Sequence, residues 1–138
     1  MKLFLCGTCN GSRWRDEFIK LLNPDIEYFN PVVKDWDDDA KRREKLERIR
    51  CDYSVYCITP KMKGVYAIAE AIDDSHKKPH GTIFCLLEEY EGEKFDESMY
   101  KSLYEVLKMI LNNGGYAFTD LKRMANFFNG NWKASSKI

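Results

Sequence analysis

Neither sign of charge prevails in this chain. Its 138 residues carry 22 Lys and Arg against 22 Asp and Glu, a formal net charge of zero. A nucleic-acid surface ordinarily needs a basic excess, so the balance argues against nucleic acid as an obligatory partner and against electrostatic docking on a membrane. Long apolar runs are missing too. None approaches the roughly 20 residues that cross a bilayer, and the N-terminus lacks a signal-peptide pattern, so a cytoplasmic protein is expected. Histidine is scarce, with only His76 and His80, and no zinc-ligand spacing results. The five cysteines are odd in number and irregular in spacing, which excludes a disulfide framework. Cys6, Cys57 and Cys85 each fall within an apolar strand-like run, where cysteine behaves as a small hydrophobe. Nothing calls for a cofactor or a metal. Internal repeats and low-complexity segments are absent, and the length fits one domain, placed at 1–132, with a polar tail at 133–138 in which Trp132, just ahead, is the last packing residue.

The richest stretch is Leu3-Phe-Leu-Cys-Gly7-Thr-Cys-Asn10-Gly11-Ser-Arg13. An apolar run breaks at a glycine-bearing turn, and helical spacing restarts with Trp14, Phe18, Leu21 and Leu22. Ser12 is a natural N-cap, and Asp16 and Glu17 sit in the first turn, where the helix dipole favours anions. A buried strand, a Gly turn and a helix N-terminus together suit a small anionic or sugar-bearing ligand. Gly7 and Gly11 let the backbone approach it, and Arg13 supplies a charge. A tight βα connection with an ordinary surface Arg explains the same residues equally well.

Further along, Ile26–Phe29 reads as a second strand running into Asn30-Pro31. Asp35–Asp39 start a charged helix to about Arg50 with a thin apolar stripe, chiefly Ala40, Leu46 and Ile49. Asp52–Ile58 is a third strand, and Gly64 leads into a helix carrying Val65, Ile68, Ala69 and Ile72. Thr82–Leu87 is a fourth strand, and the acidic segment Glu88–Glu97 a loop. Leu103, Val106, Leu107, Ile110 and Leu111 mark an amphipathic helix ended by Asn112-Asn-Gly-Gly115. Tyr116–Phe118 is a fifth strand, and Thr119 caps a last helix. This alternation predicts an α/β fold: a flavodoxin/Rossmann-like five-stranded parallel sheet, order 2-1-3-4-5, with helices on both faces. Ligands bind such sheets at the strand C-terminal ends. That rule collects Gly7–Arg13, Asn30, Pro31 and Thr59–Glu70 around one crevice.

Glu70 stands out among them. Its neighbours Ile68, Ala69, Ala71 and Ile72 are apolar or small, so a carboxylate there is partly desolvated, and such a group attacks an anomeric carbon or stabilises an oxocarbenium ion. A solvated Glu on an exposed helix face is the plain alternative. Tyr66, four residues earlier, shares its helix face and either meets the carboxylate, lines a base pocket or joins the core. Asp52 begins the third strand at the end opposite the expected site, where a simple loop carboxylate is equally natural.

The first loop, Phe29-Asn-Pro31 with Trp36, Asp52 and Gly64–Glu70 together resemble the nucleoside 2-deoxyribosyltransferase-like superfamily, over roughly the first 90 residues. The match is to a compact, often phage-encoded branch, and the first loop is also similar to that of nucleoside-monophosphate N-glycosidases. The resemblance implies Glu70 as the nucleophile that takes the deoxyribosyl group and matches Asp52 to the Asp that opens the corresponding strand; Tyr66, from its place on the Glu70 helix face, is the third candidate catalytic residue. It implies Gly7, Thr8, Gly11, Ser12 and Arg13 on the sugar or phosphate side and Asn30 near base or sugar; Asn10, Pro31, Lys63 and Gly64, on the same loops, complete the candidate binding set. A nucleoside or its 5′-monophosphate is the implied small-molecule partner, and a homodimer or larger homo-oligomer the implied assembly. One departure matters: the transferases carry an acid before the Gly that leads to the catalytic Glu, whereas here Met62 and Lys63 precede Gly64. Lys63 in that place favours a nucleotide over a free nucleoside.

Two other functions compete. A nucleotide-sensing module would need the Gly turn and Arg13 but not Glu70. A low-molecular-weight phosphatase would use Cys9 and Arg15, which satisfy C-x5-R, but no Ser or Thr follows Arg15 and no Asp-Pro supplies an acid.

Overall fold

In a computed structural model, which describes residues 1–9, 11–33 and 35–130, the strand β1 (Lys2–Gly7) opens the chain and the helix α1 (Trp14–Leu21) follows. Then come β2 (Glu27–Phe29), α2 (Asp38–Arg50), β3 (Tyr53–Ile58), α3 (Tyr66–Lys77) and, after a single 3-10 turn, β4 (Thr82–Leu86). A small hairpin of β5 (Glu89–Tyr90) and β6 (Glu93–Lys94) precedes α4 (Glu97–Asn112), β7 (Tyr116–Phe118) and α5 (Leu121–Phe128). Trp132 and the tail lie outside the described residues.

Five strands form one parallel sheet in the order β2-β1-β3-β4-β7, the expected flavodoxin-like arrangement with Tyr116–Phe118 as its fifth strand. Alternation along each strand sends side chains to two cores. Leu3, Leu5, Val55 and Ile83 meet Trp14 and Phe18 of α1 and Met124 and Phe128 of α5 on one face. Phe4, Tyr56 and Phe84 meet Ala71 of α3 and Leu103, Leu107 and Ile110 of α4 on the other. Burial on both faces is why β1, β3 and β4 read as continuous apolar runs. Among the described residues no helix is long and apolar enough to cross a membrane.

Several local expectations need correction. Ser12 does not cap α1: the cap position is Arg13, whose side chain makes no capping bond. Asp120, not Thr119, caps α5, its carboxylate accepting from the Arg123 amide at 2.8 Å. The acidic segment after β4 is not all loop, because Glu91 (φ 54°) and Gly92 (φ 79°) make a two-residue turn with both φ positive and pair Tyr90 with Glu93. On α2 the apolar stripe faces outward. Leu46 and Ile49 are exposed, Ile49 by 79%, and among its residues only Glu47 is buried. Polar ties hold this helix instead: Glu47 pairs with Lys2 Nζ at 2.9 Å, and Lys78 Nζ donates to the Arg48 carbonyl at 2.9 Å.

Gly7 ends β1 at φ 112°, and a Cβ there would lie 2.1 Å from the Cys57 carbonyl oxygen of β3. The strand can therefore turn off the sheet only as glycine. Gly7→Ala is expected to lower stability by at least about 2 kcal/mol in urea titrations, from backbone strain and overpacking together. Gly92→Ala, at φ 79° with nothing within 4 Å, should cost only about 1 kcal/mol.

Candidate functional site

The C-terminal end of β1 opens into a cleft of about 390 Å³ between α2 and α3. Cys6 and Gly7 line it from β1, and Cys9 and the buried Arg15 line it beside the β1–α1 turn. Pro31, Val32, Val33 and Trp36 of the β2–α2 connection form one wall, and Tyr66, Ala67 and Glu70 of α3 another. Glu44 enters from α2. Trp36 and Tyr66 are each more than half exposed, so they rim the cleft rather than fill the core.

Glu70 sits on the first half of α3 with its side chain only 14% exposed. Arg48 Nη1 stands 3.5 Å from its carboxylate, and Arg48 Nη2 also reaches the Glu70 carbonyl at 3.4 Å. The same guanidinium bonds Asp74 at 2.8 Å through Nη2 and 3.3 Å through Nε, and the Tyr56 hydroxyl donates to Asp74 from beneath. Arg48 is thus a fixed counter-charge. Burial pushes the Glu70 carboxyl above the ordinary glutamate range, Arg48 opposes this, and the charges of Glu44, Asp74 and Asp73 add to the rise. Glu44 is pushed upward by burial too, against the pull of Arg15 and Arg48.

Arg15 holds the turn rather than a ligand. Its Nε donates to the Leu5 carbonyl at 3.0 Å and its Nη1 to the Thr8 carbonyl at 2.8 Å, and the group stacks on Trp14 at 4.6 Å. The Thr8 carbonyl also accepts from Trp14 Nε1 at 2.9 Å, so carbonyls at the end of β1 are satisfied within the turn. Thr8 locks β1 to β3: its amide donates to the Cys57 carbonyl, and its Oγ1 accepts from the Thr59 amide, both at 2.9 Å.

Of the residues expected at a site, Gly7, Pro31, Tyr66 and Glu70 line the cleft. Asn30 shapes it from behind, its Oδ1 accepting from the Val32 amide at 3.0 Å in a local turn. Gly11, Ser12 and Arg13 do not line it. The Ser12 hydroxyl donates to Glu91 Oε1 at 2.6 Å and the Arg13 amide to Glu91 Oε2 at 3.0 Å, with Lys61 Nζ 3.9 Å away. The anion position at the N-terminus of α1 thus holds the chain's own carboxylate. The Arg13 guanidinium is 78% exposed and pairs with Asp16. Lys63 and Gly64 are exposed in the loop before α3. Asp52 lies at the opposite end of the sheet, where it accepts from the Lys2 amide at 2.8 Å. Asn10 lies outside the described residues.

Glu44 and Arg48 are the site's unexpected members; Arg15 and Cys9 are expected only on the phosphatase reading. Glu44 and Arg48 stand four residues apart on α2, a spacing that also describes a solvated ion pair; only the outward turn of Leu46 and Ile49 reveals a polar inner face. Among the described residues no group of three or more His, Cys, Asp or Glu could hold a metal ion. No protein-family model matches the chain, and no curated protein or solved structure matches it significantly. The geometry carries the functional reading.

Because burial favours the neutral forms of Glu44 and Glu70, the folded protein retains these protons to higher pH than the unfolded chain does. Their contribution to stability is full below the ordinary glutamate range and is lost as pH rises through the elevated values. Glu44→Gln should therefore gain stability relative to wild type on going from about pH 4 to about pH 7, as read by denaturant midpoints.

Proposed function

We propose that this chain cleaves or transfers the N-glycosidic bond of a deoxynucleoside, with Glu70 as the nucleophile at the anomeric carbon. The observation that carries this reading is the Glu70 carboxylate itself, largely buried, held by Arg48 at 3.5 Å and open to a cleft at the strand C-terminal ends. Removal from water strengthens a carboxylate as nucleophile, and the fixed guanidinium opposes the rise that burial imposes on it and keeps it aimed. Trp36 and Tyr66 at the rim offer apolar faces against which a base stacks. The resemblance to the nucleoside 2-deoxyribosyltransferase-like superfamily supports the same assignment.

The substrate class follows from Glu91. A carboxylate already seated on Ser12 and the Arg13 amide repels a 5′-phosphate from that turn, which favours a nucleoside over its monophosphate. Phosphatase chemistry finds less support, since the Arg15 N–H groups that would hold a phosphate are committed to the Leu5 and Thr8 carbonyls. The rival of a binding module without turnover draws on the missing acid ahead of Gly64.

Purified protein incubated with each deoxynucleoside, with and without a free acceptor base, should release free base or exchanged nucleoside detectable by liquid chromatography. Glu70→Ala should reduce this on the order of 1,000-fold or more while ligand binding persists. Binding without product from any substrate would leave the module reading standing instead. Wild type should favour a deoxynucleoside over its 5′-monophosphate by about tenfold or more in kcat/KM, and Glu91→Gln should narrow that gap.

A further inference from the structure

A glycosidic bond to a nucleobase breaks readily only when the base leaves protonated, so a second group must deliver a proton opposite the nucleophile. The loop ahead of α3 supplies none, with Met62 and Lys63 before Gly64. From the other side of the cleft, α2 does. Glu44 lines the same cavity as Glu70, half-buried, and among the described residues it forms no salt bridge, whereas Glu70 has Arg48 at 3.5 Å. Two carboxylates sharing one desolvated cleft resist double ionisation, and the one in contact with a cation keeps the charge.

We infer that Glu44 is the proton donor to the departing base and, in the second half of the reaction, the base that activates the acceptor. This rests on the glycosyl-transfer reading of Glu70. In the first step a Glu70 carboxylate oxygen bonds to C1′ as the C1′–N bond breaks. The bonding pair passes to the base, and the Glu44 proton moves to a base nitrogen. Neutral base, a Glu70 glycosyl ester and a Glu44 carboxylate result. In the second step Glu44 takes a proton from water, or from an incoming base, as that group bonds to C1′ and Glu70 leaves as carboxylate. Each residue regains its starting state.

The groups facing Glu44 agree with this assignment. Arg48 lies one turn on along α2, Arg15 approaches from α1, Cys6 from β1, and Glu70 and Tyr66 from α3. The Arg15 guanidinium is occupied by backbone carbonyls and Arg48 by Asp74, so neither closes on Glu44 to fix it as a permanent anion. Burial holds its proton to higher pH than an exposed glutamate would, against the pull of Arg15 and Arg48.

The test compares wild type, Glu44→Gln, Glu44→Asp and Glu70→Gln on an unmodified deoxynucleoside and on an N7-methylated purine deoxynucleoside, whose cationic ring leaves without a proton. In single-turnover base release, which reports the first step alone, Glu44→Gln should lose about 100- to 10,000-fold on the unmodified substrate, together with the alkaline limb of its pH profile, and stay within about tenfold of wild type on the methylated one. Glu44→Asp should recover part of the loss. Glu70→Gln should fail on both substrates. If Glu44→Gln falls equally on both, or on neither, the proton-donor role is overturned while the Glu70 reading stands. If Glu70→Gln retains turnover, the glycosyl-transfer reading itself fails and this inference with it.

Discussion

α2 is fastened to the molecule by charge, and Arg48 is its main fastener. A helix that turns Leu46 and Ile49 to solvent buries too little apolar area to dock by the hydrophobic effect. Arg48 instead grips Asp74 through two nitrogens, Asp74 receives the Tyr56 hydroxyl from the sheet, and Lys2 and Lys78 secure the helix along its length. Removing one partner of such a buried pair typically costs about 3–5 kcal/mol, because the other charge is left without compensation. The wall of the cleft and the charge state of Glu70 thus depend on the same guanidinium.

A second constraint acts at the end of β1. The strand must leave the sheet where β3 presses against it, and only a glycine with φ 112° fits between them. The carbonyls exposed by this departure are taken by Arg15, and Thr8 bonds across to Cys57 and Thr59. The end of β1 is therefore bonded internally, without a ligand. Sites built on such preformed backbone lose little entropy when a substrate arrives.

The β5–β6 hairpin adds a carboxylate to the positive end of α1. Glu91, at φ 54°, takes a conformation uncommon for its residue type and places both oxygens on Ser12 and the Arg13 amide. The helix dipole and two hydrogen bonds offset the strain of that turn. A position that in other helices receives a ligand's anion is satisfied internally here, while the cleft on the α2–α3 side stays open.

By itself the amino-acid sequence determined the sheet, its parallel order and the placement of Gly7, Pro31, Tyr66 and Glu70 together, because these follow from local periodicity and from short right-handed connections. It also marked Asp52 as lying at the far end, since strand direction alone decides that. Only the tertiary structure decided which face of α2 turns inward: an i,i+4 pair such as Glu44 and Arg48 reads the same whether solvent or a second helix lies opposite. The fate of Ser12 and Arg13 was equally out of reach. Their partner, Glu91, is 79 residues beyond Ser12 in a segment without hydrophobic alternation, and contacts at that separation are set by the packed sheet rather than by any local pattern.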